Sequence, residues 1–321
     1  MKKVTIRPKT YELNQPFVIS RGSRVHANVV ECHIEENGNL GIGECTPYAH
    51  YTETVESVID QIKQWSQAIS QGLTREKLEQ DYPAGAARHA IDAALWDLES
   101  KQAGLPIWKY AGLPKPKPIQ IAMTISINKP NQMAQQAIKT PFELLKLKCA
   151  GDNNDAKRLI AVRDACPTKK IIVDANESWN PKDLDYWIEL CQKLNIYMVE
   201  QPFASTNDDV GLKRKGSFLV CADESCHTVA DLRQCQYYDV INIKLDKTGG
   251  LTHALKLYQQ ARALGLKIMV GCMLGSGLGI RQAYYLAQLA DMADLDAPLL
   301  LNQANSQVSF KLTPQHFLYE A

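Results

Sequence analysis

The 321-residue sequence lacks the features that mark several large protein classes. No apolar run approaches the roughly 18 residues of a membrane-spanning helix. Charged residues interrupt the opening MKKVTIRPKTYELNQPF within a few positions, so neither a signal peptide nor an anchor is expected. An excess of one charge is also lacking. The 36 Lys plus Arg against 35 Asp plus Glu leave a formal charge of +1, which offers no footprint for nucleic acid or an anionic membrane. The nine cysteines, an odd number scattered from Cys32 to Cys272, contain no CxxC pair and read as reduced thiols of a cytoplasmic protein. Cys226 and His227 stand together, but with no further spaced ligands they do not make a zinc site. No GxGxxG follows a strand-like run, and no GK[ST] follows the glycine-rich segment 271–279. Those glycines, with Gly249 and Gly250, are expected to let the backbone approach a substrate.

What the chain does have is 45% apolar residues, enough for a large core without a disulfide or metal staple. Residues 1–113 do not alternate strand and helix. Strand-like runs at 4–13, 28–35 and 40–43 precede helical runs at about 53–71 and 84–103, the order of an α+β domain. Three prolines in LPKPKP, residues 113–118, suit a stiff linker.

From residue 119 the texture changes to short apolar runs separated by amphipathic stretches. Eight candidate strands can be counted, at 119–127, 144–148, 171–175, 198–201, 219–223, 240–244, 268–272 and 292–296. Successive starts lie about 20 to 28 residues apart, the length of a strand, a loop and a three-turn helix, which predicts a closed (β/α)8 barrel over 114–300. Residues 301–321 are expected to pack back on the N-terminal cap.

Several of these strands carry an ionisable residue at the end where a barrel gathers its chemistry. An Asp after a strand often only caps the next helix. Asp174, Glu200 and Asp223, however, recur 26 and 23 residues apart on consecutive units. Three crowded carboxylates repel one another, and a hard divalent cation such as Mg2+, which prefers oxygen ligands, relieves that repulsion. On LLKLK, period-two alternation puts Lys146 and Lys148 on one face and Leu145 and Leu147 on the other. A neighbouring cation disfavours protonation, so Lys146 is expected to tune Lys148 toward a base. Lys244 comes from the strand four units on, nearly opposite in a barrel of eight. Two opposed amines flanking a cation are what a two-base 1,1-proton transfer next to a carboxylate requires, through an enediolate stabilised as it forms. Lys247, beyond the strand in KTGG, reads as a solvated charge.

The spans LLKLK, VDANESW, EQP, CADES and NIKLDKTGG, with DLD near the end, resemble the enolase superfamily, muconate-lactonizing subgroup, and most closely its L-Ala-D/L-Glu (dipeptide) epimerases. The resemblance covers nearly the whole chain, including RGSR and GECTPY in the cap. It implies an enolase-like modified barrel and one Mg2+ per subunit held by Asp174, Glu200 and Asp223. It implies Lys148 and Lys244 as the two bases, with Lys146 supporting Lys148 and touching the substrate carboxylate. Asp294 and Asp296 would hold the dipeptide's α-ammonium, which needs a paired anion in a low-dielectric pocket. Arg24, or Arg21 in the same lid segment at about residues 15–25, would clamp a glutamate side chain, and Thr124 matches a substrate-contacting position.

The implied activity is dipeptide epimerisation in murein peptide metabolism. The expected partners are the dipeptide and, in a homo-oligomer, further copies of this chain. o-Succinylbenzoate synthesis, N-acylamino-acid racemisation and cycloisomerisation share the cation and the lysines, but their substrates have no use for the paired aspartates. A non-catalytic binding barrel would have lost a position, and none is lost.

Overall fold

The computed structural model describes residues 1–207, 216–302, 310–313 and 316–319. The chain opens as an antiparallel sheet of β1 (Lys3–Ile19), β2 (Gly22–Glu36) and β3 (Asn39–Cys45). β1 runs past its expected end because its pairing with β2 shifts register between Glu12 and Phe17 and then resumes at Phe17↔Arg24. Pro16, which cannot donate to a ladder, lies inside that bulge. One face of β2, with Val30, Cys32 and Ile34, packs under the helices Val55–Ser70 and Ala86–Gln102. The first is amphipathic, closed at its start by a capping box between Thr54 and Ser57 and burying Val58, Ile62 and Ile69. The second is buried almost all round, because it lies between the cap sheet and the barrel. A short helix, Arg75–Asp81, separates the two and is an element the helical periodicity did not show.

The barrel is an eight-stranded sheet with consecutive strands side by side: β4 (Ala122–Ile125), β5 (Leu144–Lys148), β6 (Lys170–Asp174), β7 (Met198–Glu200), β8 (Leu219–Ala222), β9 (Val240–Lys244), β10 (Lys267–Gly271) and β11 (Met292–Asp294). All seven hydrogen-bonded pairings are parallel. The seam between β11 and β4 is bridged by the Thr124 amide, which donates to Asp296 Oδ2 at 2.7 Å. One connection departs from expectation. The chain between β8 and β9 is a 3-10 run, Val229–Tyr237, rather than an α-helix.

Period-two alternation organises the interior. Ala122, Leu144, Ile172, Met198, Cys221, Val240, Met269 and Met292, one from each strand, form a buried apolar floor. Two residues further along come Thr124, Lys146, Asp174, Glu200, Asp223, Asn242, Gly271 and Asp294, the polar layer above it. The intervening residues, including Leu145, Leu147, Val173, Val199 and Ile243, point outward into the core shared with the surrounding helices.

Cap and barrel are joined by buried polar contacts. Arg88, on the buried cap helix, donates to the carbonyls of Thr248 (2.5 Å) and Gly249 (3.2 Å). Asp92 accepts from Thr252. Gly249 and Gly250 have φ of 74° and 113°, and an added Cβ would lie 2.2 Å from Arg88 and 2.4 Å from Asp92. The close approach these glycines permit is therefore to the cap helix, not to a substrate.

Glu44, fully buried on β3, accepts from the Ser276 amide at 2.8 Å and pairs with the Ser276 hydroxyl at 2.7 Å. Burial pushes its carboxyl up from 4.5 to about 7, against the hydrogen bonds from Ser276. The folded protein therefore holds a proton that the unfolded chain releases above about pH 4.5, and this contribution to stability fades as pH rises through about 7. Glu44→Gln preserves both hydrogen bonds and removes the titration. It is expected to raise stability at pH 8 by on the order of 2 kcal/mol and to flatten the slope between those pH values in thermal melts. An unchanged slope would contradict this assignment.

All nine cysteines are free thiols. No helix among the described residues is long and apolar enough to cross a membrane. Of the C-terminal segment, Leu301 bridges Leu13 and the Asn302 amide donates to the Glu12 carbonyl at 2.8 Å. Phe310–Thr313 and His316–Tyr319 pair as an antiparallel hairpin. The rest of the expected packing on the cap lies outside the described residues.

Candidate active site

The polar layer opens into a cavity under the turn between β1 and β2, lined by Lys146, Lys148, Asp223, Lys244, Asp294 and Asp296 together with lid residues. Each ionisable group arrives by strand register. Lys148 pairs with Asp174 across β5 and β6, and Asp174 with Glu200 across β6 and β7. Lys244 ends β9, four strands from Lys148 in the sheet order.

All of these side chains are at least nine-tenths buried, so each charge needs a partner. Lys146 Nζ lies 3.0 Å from Asp174 Oδ2, 2.8 Å from Glu200 Oε2 and 2.7 Å from Asp294 Oδ2. Lys148 Nζ lies 2.5 Å from Asp174 Oδ2 and 3.3 Å from Asn176 Oδ1. Lys244 Nζ lies 2.6 Å from Asp223 Oδ2. Burial alone would raise Asp174 and Asp223, yet the ammonium groups beside them hold both well below the usual carboxylate range. In turn, these carboxylates outweigh burial and push Lys146 and Lys244 above the usual lysine range. Lys146 thus links two of the three acids on consecutive strands to Asp294, a bridging position that alternation along LLKLK did not indicate.

Glu200 behaves differently. Burial, and then Asp174, raise it to about 8. Its Oε1 accepts from Asn242 Nδ2 at 2.9 Å, while Oε2, despite its nearness to Lys146, has no hydrogen-bond partner among the described residues. No trio of acids, histidines or cysteines among the described residues is drawn together as a ready-made ligand set, since lysine ammonium groups stand between the carboxylates. Even so, a carboxyl kept partly protonated for want of positive charge, with an oxygen free, on a layer of oxygen donors, suits a hard divalent cation.

At the other end of the cavity, burial and Asp294 raise Asp296 to about 6. Asp294 Oδ1 is buried without a partner among the described residues. This pair is short of one cation. Thr124 reaches the cavity too, and both its backbone amide and its side chain hydrogen-bond Asp296.

The two lid arginines separate clearly. Arg21 is engaged by protein, with Glu224 Oε1 at 2.5 Å, the Asn176 carbonyl at 3.0 Å and the Tyr48 hydroxyl at 3.1 Å. Arg24 lines the cavity with its guanidinium 5.0 Å from the Tyr48 ring centroid and has no ion pair among the described residues.

Two charged residues behave contrary to, or outside, the sequence reading. Lys247 is not solvated; it is 2% exposed, with Nζ 2.7 Å from Asp223 Oδ1, 2.8 Å from the Cys226 carbonyl and 2.9 Å from the Asn242 carbonyl. The single turn Leu245–Thr248 carries it back toward the strand it follows. Its spacing of three from Lys244 is the helical signal that could have revealed this. Glu224, next to Asp223 in CADES, was not singled out at all. His227 packs edge-on against Tyr51 at 4.4 Å, and burial and Lys247 hold it down at about 4, in keeping with a neutral packed ring rather than part of a zinc site.

Comparison with known proteins adds three results. Residues 1–112 match the model of the mandelate racemase/muconate lactonizing enzyme N-terminal domain, and residues 131–312 match the enolase C-terminal domain-like model. The L-Ala-D/L-Glu epimerase of Escherichia coli K12 is 43% identical over 94% of this chain and 95% of its own length, and an N-acetyl-D-glutamate racemase of a Pseudoalteromonas species is 40% identical over 81% and 84%. The crystal structure of a dipeptide epimerase from Enterococcus faecalis V583, complexed with Mg and the dipeptide L-Leu-L-Tyr, superposes with a TM-score of 0.88 at 31% identity, covering 98% of this chain and 94% of that one.

Proposed function

Because this chain belongs to the mandelate racemase/muconate lactonizing branch of the enolase superfamily, we propose that it is a Mg2+-dependent dipeptide epimerase that inverts the α-carbon of the C-terminal residue of an L-Ala-D/L-Glu-type dipeptide. The observation that carries this reading is a single cavity holding two lysines from strands four apart and, at its end, an aspartate pair short of one cation.

The proposed steps balance as follows. Lys148 Nζ takes the α-proton from one face, the electron pair of the broken C–H bond passes into the carboxylate as an enediolate, and Lys244 Nζ returns a proton to the opposite face. The other epimer reacts with the two amines exchanging roles. Asp174, Glu200 and Asp223 would hold Mg2+, which when bound would supply positive charge for the substrate carboxylate. Lys146 keeps Asp174, Glu200 and Asp294 in one array. Asp294 and Asp296, the latter held by the Thr124 amide, take the substrate's ammonium. Murein peptide metabolism in the cytoplasm is the setting this substrate fits.

Arg24 is the group proposed to bind the glutamate side chain. A charge-assisted contact contributes about 1.5–3 kcal/mol. Arg24→Met is therefore expected to raise KM for L-Ala-L-Glu about 10- to 100-fold while leaving L-Ala-L-Met little changed, and steady-state kinetics on both dipeptides check this. Equal losses on both would remove Arg24 from the side-chain subsite.

N-acetylglutamate racemisation is the rival that the second relative suggests. An N-acyl group carries no charge to meet Asp294 and Asp296. The deciding experiment incubates the protein with Mg2+ in D2O and follows the glutamate α-proton by NMR. Exchange in L-Ala-L-Glu, far faster than in N-acetyl-L-glutamate, supports the dipeptide reading; the reverse order, or no exchange in the dipeptide, refutes it.

A further inference from the structure

The turn between β1 and β2 is tied to the loop that follows β6, and that loop touches the Lys148 amine. Ser20 Oγ donates to the Asn176 carbonyl at 3.3 Å, and Arg21 Nη1 donates to the same carbonyl at 3.0 Å. Arg21 also reaches Glu177 Oε2 at 3.3 Å, Glu224 Oε1 at 2.5 Å and the Tyr48 hydroxyl, using its guanidinium as a fork across three segments. Asn176 is the common recipient. Its Oδ1 accepts from Lys148 Nζ at 3.3 Å, its Nδ2 donates to Glu224 Oε1 at 3.3 Å, and its amide donates to Asp174 Oδ1 at 3.0 Å.

The loop needs such support. Asn176 and Glu177 are consecutive non-glycine residues with φ of 44° and 66°. Left-handed backbone at such positions persists when surrounding contacts over-determine it. The contacts at the Asn176 carbonyl come from the lid, through Ser20 and Arg21, while the Glu177 carboxylate accepts from Arg21 at 3.3 Å and from the Ser205 amide of the barrel at 2.9 Å. His50 adds a third contact to the Glu177 carboxylate at 2.9 Å, from the cap like that of Arg21. No corresponding contact runs from Arg21 to Lys244 among the described residues.

We propose that Arg21 is a positioning residue for Lys148: by clamping the lid turn onto the Asn176 carbonyl it holds that asparagine's side chain against the Lys148 amine, so that the lid and this one base are set together. Arg21 does not bind substrate in this assignment, and its effect is one-sided, falling on the half-reaction that uses Lys148.

The inference rests on the two-base reading above, and its test separates the two. In D2O with Mg2+, α-proton exchange is measured starting from L-Ala-L-Glu and from L-Ala-D-Glu, with Lys148→Ala identifying which epimer depends on Lys148. Arg21→Gln is expected to slow exchange from that epimer about tenfold or more and to change the other about twofold or less, because misplacing one base by a fraction of an ångström has an effect of that size. Arg21→Lys, with one ammonium in place of the fork, is expected to fall between. Equal slowing of both epimers overturns the proposal. Amide hydrogen exchange across residues 174–178 and 16–25 gives a readout independent of turnover, and Arg21→Gln is expected to speed both segments together. If the unaltered protein exchanges neither epimer, the functional reading fails, while faster amide exchange in 174–178 still supports the clamp and unchanged exchange there overturns it.

Discussion

Lys148→Ala is expected to abolish α-proton exchange from one epimer of the dipeptide and Lys244→Ala from the other, with either substitution stopping net epimerisation. The expected loss is at least about 10³-fold, at the upper end of what a positioned acid or base contributes, because the second amine near each base, Lys146 or Lys247, is fully engaged by acids or carbonyls. Lys148 and Lys244 come from β5 and β9, and their partners differ, Asp174 for one and Asp223 for the other. Lys146 cannot replace Lys148: its ammonium is shared among Asp174, Glu200 and Asp294 and is pushed well above the usual lysine range once those acids outweigh burial. NMR of the glutamate α-proton in D2O, started separately from each epimer, reads this directly. A Lys148→Ala variant that retains equal residual exchange from both would contradict the two-base assignment.

Asp223→Asn is expected to produce the second large effect, with two readouts. Activity at moderate Mg2+ should fall at least about 10³-fold, since one of the three proposed oxygen donors is lost. Stability should fall by about 3–5 kcal/mol, because Asp223 answers two buried ammonium groups, Lys244 at 2.6 Å and Lys247 at 2.7 Å, and removing one partner of a buried pair strands the other. Thermal melts and Mg2+ titrations distinguish these. For the unaltered protein, chelation should remove activity and Mg2+ should restore it. A variant with native stability would show that Lys247 is held by its carbonyl partners alone.

Those two predictions use residues that were legible in the sequence, for a physical reason. The barrel interior obeys period two, so the apolar floor and the polar layer above it are written as Leu144 then Lys146, Ile172 then Asp174, Met198 then Glu200. β5 and β9 occupy the spans expected for them, 144–148 and 240–244. What was not legible depends on contacts distant in sequence. Lys247 looked like a surface charge because nothing in KTGG shows that its turn folds back against Asp223. Arg21 and Arg24 were equivalent as letters, and only the loop carrying Asn176 and Glu177 decides which guanidinium is consumed by protein. The glycines at 249 and 250 suggested close approach but not its partner, which lies 161 and 158 positions away in sequence at Arg88 and Asp92.

That last contact limits how new specificities can be built on this framework. The helix bearing Arg88 and Asp92 fastens itself to the backbone a few residues beyond Lys244, so the same cap that carries the lid also braces the strand presenting that lysine. Grafting a foreign cap as a cassette would unfasten that strand unless Arg88, Asp92 and the glycines they meet travelled with it. Chimeras therefore have to respect this joint, whereas retuning the lid turn within its own cap leaves the joint untouched.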